Sequence, residues 1–192
     1  MNLNKIVNFF FELASMRRIV RAHSQFIRET DDNISDHSFR VAIIGMNLAK
    51  LEECDADKVL KMCLFHDVVE TRVGDANFIN KLYSDLHKKE AHKDQMEDLP
   101  IGGEISELLK EFEQRESKEA VVATDADYLD QMILQREYFF KDPQNHEIWQ
   151  NYTQLMLKSE SAKKLAQEIR KTNPFGWLYQ IAEQRTGKKV PR

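Results

Sequence analysis

Helical periodicity runs through almost the whole chain, and strand patterning is nearly absent. From His37 onward, Val41, Ile44 and Leu48 fall on one stripe that Phe39 and Ile43 widen, since residues three and four apart share a helix face. Asp31, Asp32, Asn33 and Ser35 offer N-cap oxygens, so a helix is expected to begin just before His37. There are no alternating β-branched runs and no Asn-Gly hairpin turns. The pattern predicts an all-α protein, a compact helical bundle.

The same reading places the other elements. Leu3, Ile6, Val7, Phe10 and Ala14 recur at helical spacing, which makes the stretch from Met1 to Met16 a packed amphipathic helix rather than a cleaved leader. A helix from about Asp55 to Val69 buries Val59, Met62, Cys63 and Phe65. Gly74 opens a loop, and the charged stretch from Lys81 to Asp98 reads as a helix with one solvated face. After the break at Pro100-Ile101-Gly102-Gly103, helices are expected at about Glu104–Gln114 and Ser117–Phe140, the latter ended by Pro143. At least one more covers Glu147–Lys171, and Pro174 and Gly176 mark a turn before a short last helix. Phe9, Phe10, Phe11, Phe139 and Phe140 are assigned to core or dimer contact, and Trp149 and Trp177 to packing of the C-terminal helices.

At 192 residues, the chain fits a single domain, residues 1–192, with helical additions around a core of about residues 13–140. Its net charge of −4 argues against a nucleic-acid polymer as partner. No stretch approaches the roughly 18 apolar residues of a membrane span. Cys54 and Cys63 lack paired spacing and read as buried hydrophobes of a reducing compartment, which points to a cytoplasmic location.

Three places carry metal-capable side chains: Asp36-His37-Ser38 at a helix start, His66-Asp67 at the end of an apolar helix, and Ala123-Thr124-Asp125-Ala126-Asp127. Asp127 shares a strip with Ala120, Ala123 and Ala126, small residues that read as a buried helix contact. A buried carboxylate is costly unless paired or bound to a cation. Two imidazoles and two carboxylates suit one borderline or hard divalent ion (Mn²⁺, Co²⁺, Fe²⁺, Zn²⁺ or Mg²⁺), and the lack of thiolates argues against a structural zinc cage. His87 and His92, the candidates for holding a second metal, are assigned to a solvated face. Asp36 and Asp125 are candidates to orient the ligands, with a helix cap and a solvated face as the alternatives.

In this order the motifs resemble the HD-domain superfamily of metal-dependent phosphohydrolases, above all its 5′-deoxynucleotidases and related small HD-domain proteins. The likeness is carried by Asp36-His37-Ser38 with Arg40-Val41-Ala42 and by Leu64 through Glu70 leading to Gly74-Asp75. Glu90-Ala91 and Ala126-Asp127-Tyr128-Leu129-Asp130 complete it, from about Leu13 to Tyr138. The resemblance implies that His37, His66, Asp67 and Asp127 hold the metal, with Glu70 and Asp67 in catalytic positions and Glu70 moving a proton. It implies that Asp75 lies near a nucleotide sugar and that Arg21 contacts phosphate, with Arg18 and Arg17 as rivals. Ala22, His23 and Ser24 stand where an aromatic residue of the sugar pocket is usual.

The resemblance implies a 5′-nucleotidase that removes phosphate from (deoxy)nucleoside 5′-monophosphates through water activated by the metal, and a homodimer. Two other readings stay open: hydrolysis of another phosphorylated small molecule, such as a nucleoside triphosphate or signalling nucleotide, and a non-catalytic helical metal-binding scaffold.

Overall fold

A computed structural model describes residues 2–26, 32–138 and 143–190. Eleven helices are found among them: α1 (Leu3–Leu13), α2 (Ile34–Leu51), α3 (Ala56–Phe65), α4 (Glu70–Val73), α5 (Phe78–Tyr83), α6 (Lys88–Met96), α7 (Gly102–Gln114), α8 (Lys118–Tyr138), α9 (Pro143–Met156), α10 (Glu160–Lys171) and α11 (Gly176–Thr186). Among the described residues the only extended pairing is an isolated antiparallel bridge between Val20 and Asn33. No described helix is long and apolar enough to cross a membrane.

The centre is the packing of α2, α3 and α8, where Val41, Leu48, Val59, Met62, Ala123, Ala126 and Leu129 are fully buried. Small residues let these helices approach. A Cβ on Gly45 would lie 2.6 Å from Cys63 Sγ and 3.0 Å from a Val59 methyl, too close for any larger residue without a shift of α3. Ala120, Ala123 and Ala126 form the matching strip on α8 and are completely buried. Both cysteines are free, Cys63 buried and Cys54 half-buried.

A second cluster packs α1, α6 and α7 around Phe9, Met16, Ile34, Val68, Met96, Ile105 and Leu109. Its polar clasp is Glu12, whose carboxylate accepts from Arg72 at 2.6 and 2.9 Å, Thr71 Oγ1 at 3.0 Å and Gln95 Nε2 at 2.9 Å. Gln95 is buried and also donates to the Val68 carbonyl. These bonds fix α6 against the turn after α3, and so bring Lys88 to the site described below.

Several expectations are corrected. The buried stripe of α1 is Phe9, with Ile6 and Leu13 half-buried, while Leu3, Val7, Phe10 and Phe11 are exposed. On α2, Phe39 and Ile43 face outward, because the side pointing to α3 and α8 is that of Val41, Gly45 and Leu48. The helix expected to reach Val69 stops at Phe65. Past it the chain tightens to i→i+3 bonds, Val68 N–H to Phe65 O and Glu70 N–H to Asp67 O, where the β-branched pair Val68-Val69 disfavours another α-turn. The charged stretch 81–98 is divided between α5 and α6, and 147–171 between α9 and α10. Trp149 packs on Phe26, with ring centroids 5.5 Å apart, and Trp177 is largely exposed. Pro143 opens α9. Asp31, Phe139 and Phe140 lie outside the described residues.

Asp125 does not face solvent. Its buried carboxylate accepts the backbone N–H groups of Lys158 (3.0 Å) and Ser159 (2.7 Å), tying α8 to the start of α10. Asp125→Ala leaves both donors without that acceptor, at about 1–3 kcal/mol each when buried. A drop in Tm on the order of 5–10 °C is expected in thermal unfolding, and an unchanged Tm would rule out this clasp.

Candidate metal centre

Two of the expected ligands come from the central helices α2 and α8, and two from the turn between α3 and α4. Asn33 caps α2, its side chain accepting the Asp36 N–H at 3.1 Å, and so sets His37 in the first turn. The Asp36 carboxylate accepts from Asn33 Nδ2 and is exposed; it steadies the Asn33 cap and, among the described residues, bonds to none of the expected ligands. His66 and Asp67 follow the last residue of α3, and Asp127 projects from the middle of α8.

Their polar atoms converge. His37 Nε2 lies 3.3 Å from His66 Nε2, 3.3 Å from Asp127 Oδ1 and 3.5 Å from Asp67 Oδ2, and His66 Nε2 is 3.2 Å from Asp67 Oδ2. His37, His66 and Asp127 each offer one donor atom within 4.8 Å of the other two, close enough to hold one ion. Asp67 stands beside both imidazoles while accepting from Arg21 Nη1 at 2.9 Å.

The other nitrogen of each ring decides what this arrangement is for. His66 Nδ1 lies 2.8 Å from the Cys63 carbonyl, an acceptor only, and therefore carries a hydrogen. His37 Nδ1 donates in the same way to Asp130 at 2.7 Å. In the neutral rings both Nε2 lone pairs then point at each other and at two carboxylates. Such a cluster of electron pairs is favourable only around positive charge. Burial opposes charging of Asp67 and Asp127, yet the histidines and Arg21 hold Asp67 well below the usual carboxylate range, and His37 and His66 hold Asp127 near about 2. Burial and Arg21 also oppose protonation of His37, but Asp127, Asp130 and Asp67 raise it well above the ordinary value. The site attracts a cation, and its mixed nitrogen and oxygen donors fit a divalent metal.

Around this centre the structure brings some of the expected residues together and leaves others apart. Arg21 is largely enclosed, its side chain 12% exposed, with Nε 3.7 Å from Asp75 in addition to its bond to Asp67. Asp75 also accepts the Ala22 N–H at 2.7 Å, anchoring the segment that carries Arg21. Arg17 and Arg18 are exposed on a 3₁₀ turn, Met16–Arg18, and among the described residues neither bonds to the cluster. Glu70 opens α4, is almost wholly buried, and accepts from Lys88 Nζ at 2.8 Å. Burial and the neighbouring carboxylates Asp67 and Asp75 push its carboxyl up to about 8. His87 is exposed, but His92 is half-buried and lines the cavity beside the cluster, so its face is not simply solvated. That cavity, about 460 Å³, is also lined by His66, Asp67, Asp127, Leu109 and Phe112.

Sequence reading missed two partners. Asp130 receives His37 Nδ1–H and is bound by Arg40 Nε at 2.6 Å, with Arg40 also 3.2 Å from Asp32. The signal was present: Asp130 follows Asp127 by three residues and Arg40 follows His37 by three, so each pair shares a helix face. Lys88, the partner of Glu70, comes from a helix whose position depends on the Glu12–Gln95 clasp and has no such local signal.

A family model described as HD domain matches residues 13–172. The chain belongs to the HD-domain family of metal-dependent phosphohydrolases. This HD domain is 33% identical over 128 residues to the 5′-deoxynucleotidase HDDC2 of Dictyostelium discoideum, covering 60% of this chain and 66% of that protein. It is 30% identical over 112 residues to the human protein of the same name, covering 56% and 54%. The chain thus spans less than two thirds of the length of these curated relatives. Among solved structures it resembles one named a predicted metal-dependent phosphohydrolase from Magnetospirillum magnetotacticum, with TM-score 0.70, 22% identity and coverage of 88% and 91%. A conserved hypothetical protein from Pyrococcus furiosus gives TM-score 0.71 at 23% identity, covering 86% and 99%. These two likenesses concern the fold.

In this HD domain, the Asp130 carboxylate fixes the tautomer and orientation of His37. Asp130→Asn, which weakens the acceptor and disturbs the Arg40 pair, is expected to lower divalent-metal affinity by about 10–100-fold. Isothermal titration with Mn²⁺ or Co²⁺ measures this, and unchanged affinity would exclude the role.

Proposed function

We propose that this chain is a divalent-cation-dependent 5′-nucleotidase that hydrolyses (deoxy)nucleoside 5′-monophosphates, with His37, His66, Asp67 and Asp127 as metal ligands. The observation that carries this reading is the meeting of the two imidazole Nε2 atoms with Asp67 and Asp127, 3.2–3.5 Å apart in the pairs given above, beside the partly buried Arg21 and the buried carboxyl group of Glu70. The name shared by the curated relatives supports a nucleotide 5′-phosphate as substrate.

A divalent cation held there supplies Lewis acidity, making water a nucleophile at neutral pH and neutralising charge that grows on the phosphoryl oxygens. Arg21 keeps guanidinium N–H groups beyond the one given to Asp67, and these bind phosphoryl oxygens in a site screened from water. Asp75 holds Arg21 in register through its bond to the Ala22 N–H. Glu70 retains its proton at neutral pH and delivers it to the departing sugar oxygen, and Lys88 fixes the carboxyl in place. A purely structural metal site would need neither a partly buried arginine nor a protonated acid beside it. His23, kept neutral near about 4 by burial and by Arg21, stands where an aromatic residue of the sugar pocket is usual, which allows ribose as well as deoxyribose.

The test is phosphate release from all ribo- and deoxyribonucleoside 5′-monophosphates with added Mn²⁺, Co²⁺, Zn²⁺ or Mg²⁺. Turnover of one or more that stops with a chelator is expected; no release from any would refute the assignment.

Glu70 also predicts a pH dependence. Its folded value, about 8 against an ordinary 4.5, means the fold binds a proton across that window which unfolding releases, so its contribution to stability weakens as pH rises. As an acid it is lost above about 8, and a bound cation draws this limit lower. The kcat profile is expected to fall on the alkaline side. Glu70→Gln is expected to flatten that limb and to slow turnover by about 10²–10⁴-fold. A limb that persists in the variant would assign it to another group.

A further inference from the structure

The cavity beside His66 and Asp127 carries more positive charge than a phosphate monoester needs. Lys81, Lys88, Lys89, Lys110 and Arg115 all line it, while Glu113 is the one carboxylate on its described wall besides Asp67 and Asp127. Lys88 is engaged by Glu70. Arg115 sits over the Tyr128 ring, 5.8 Å from its centroid, and bonds the phenol oxygen at 3.3 Å. Among the described residues no ion pair takes up Lys81, Lys89 or Lys110. A second cavity of about 410 Å³ shares Lys81, Lys88, Lys89 and Glu113 with the first, while its remaining wall adds Asp85 and Glu90, so the excess of cations belongs to the cavity beside the metal centre. In a chain of net charge −4, this concentration of cations in one groove focuses a field for an anion.

A nucleoside 5′-monophosphate leaves these three lysines without a counterpart, because its one phosphate is taken by the metal centre and Arg21. We infer that the groove admits a nucleotide bearing a second phosphate remote from the one hydrolysed, as in a nucleoside 3′,5′-bisphosphate, with Lys81, Lys89 and Lys110 forming its anion subsite. This rests on the nucleotidase reading for the scissile phosphate; the subsite itself is a matter of binding. A cavity of about 460 Å³ is in the range that holds one small molecule. Exposed ion pairs each contribute modestly, so three together set a selectivity on the order of tenfold that salt screens.

The experiment compares adenosine 3′,5′-bisphosphate with AMP on the metal-loaded full chain and on the Lys81→Ala/Lys89→Ala/Lys110→Ala variant. The wild type is expected to favour the bisphosphate about tenfold in kcat/KM at low salt, and the variant to bring that ratio near one. Equal use of the two by the wild type, or an undiminished ratio in the variant, overturns the subsite. If neither compound releases phosphate, the nucleotidase reading fails by itself and calorimetry decides the subsite. Bisphosphate bound about tenfold tighter than AMP, with the advantage lost in the variant, supports it; equal binding overturns it. Lys110→Glu, a single surface change, gives the same readout should the triple variant not fold.

Discussion

His66→Ala is expected to abolish metal retention and to cut divalent-dependent phosphate release by on the order of 10³-fold, the equivalent of about 4 kcal/mol of transition-state stabilisation. The variant removes the nitrogen that faces His37 Nε2 at 3.3 Å and Asp67 at 3.2 Å, so the remaining donors no longer surround a common point. Asp127→Ala is expected to act alike, since it takes away the carboxylate that α8 contributes opposite His37. Elemental analysis and phosphate release are the direct readouts. Thermal unfolding adds a third, because an ion at 100 times its Kd stabilises the native state by about 2.7 kcal/mol. That increment is expected in the wild type and absent in both variants. Unchanged turnover with the metal content intact would remove these residues from the ligand set.

Arg21→Ala carries the other large effect, on the order of 10²–10³-fold in kcat/KM, as for loss of one positioned charge donor at a phosphoryl group. It has a structural cost too. Arg21 stands between Asp67 and Asp75, and removing one partner of a buried pair costs about 3–5 kcal/mol because the other charge stays behind. A bound cation compensates Asp67 in part, so the stability loss is expected to shrink when metal is added. Arg21→Lys separates the two roles: a point charge restores much of the stability, while the flat two-pronged contact with phosphate is not recovered. Steady-state kinetics with paired melting curves check this, and an Arg21→Ala enzyme with wild-type kcat/KM would contradict it.

The helical class was legible because α2, α3 and α8 bury stripes with the expected period, and the four proposed ligands were legible because short motifs mark them. What stayed hidden depends on tertiary position. Phe39 and Ile43 are as apolar as Val41, but only the close approach at Gly45 decides which side of α2 is covered. Asp125 and Asp127 are two residues apart on one helix; the former turns to the start of α10 and the latter to the histidines. Asp127 itself is less enclosed than its alanine neighbours suggest, since its carboxylate opens on the cavity. Asp130 follows Asp127 by three residues, but that spacing fixes only a shared helix face; which residue lies opposite, His37 Nδ1 and Arg40, follows from how α2 packs on α8. Lys88 could not be read from the sequence, as its place follows from the buried Gln95 and Glu12 contacts far from it in the chain.

The proposed nucleotidase depends on a divalent ion among His37, His66 and Asp127, beside Asp67, for hydrolysis of a nucleoside 5′-phosphate. Its most direct test is phosphate release from a deoxynucleoside 5′-monophosphate by metal-stripped protein as Mn²⁺ or Co²⁺ is titrated back. The account predicts no release without metal and a rise that saturates at one ion per chain. Release that is equally fast in the presence of chelator, or none at saturating metal with any 5′-monophosphate, would contradict it.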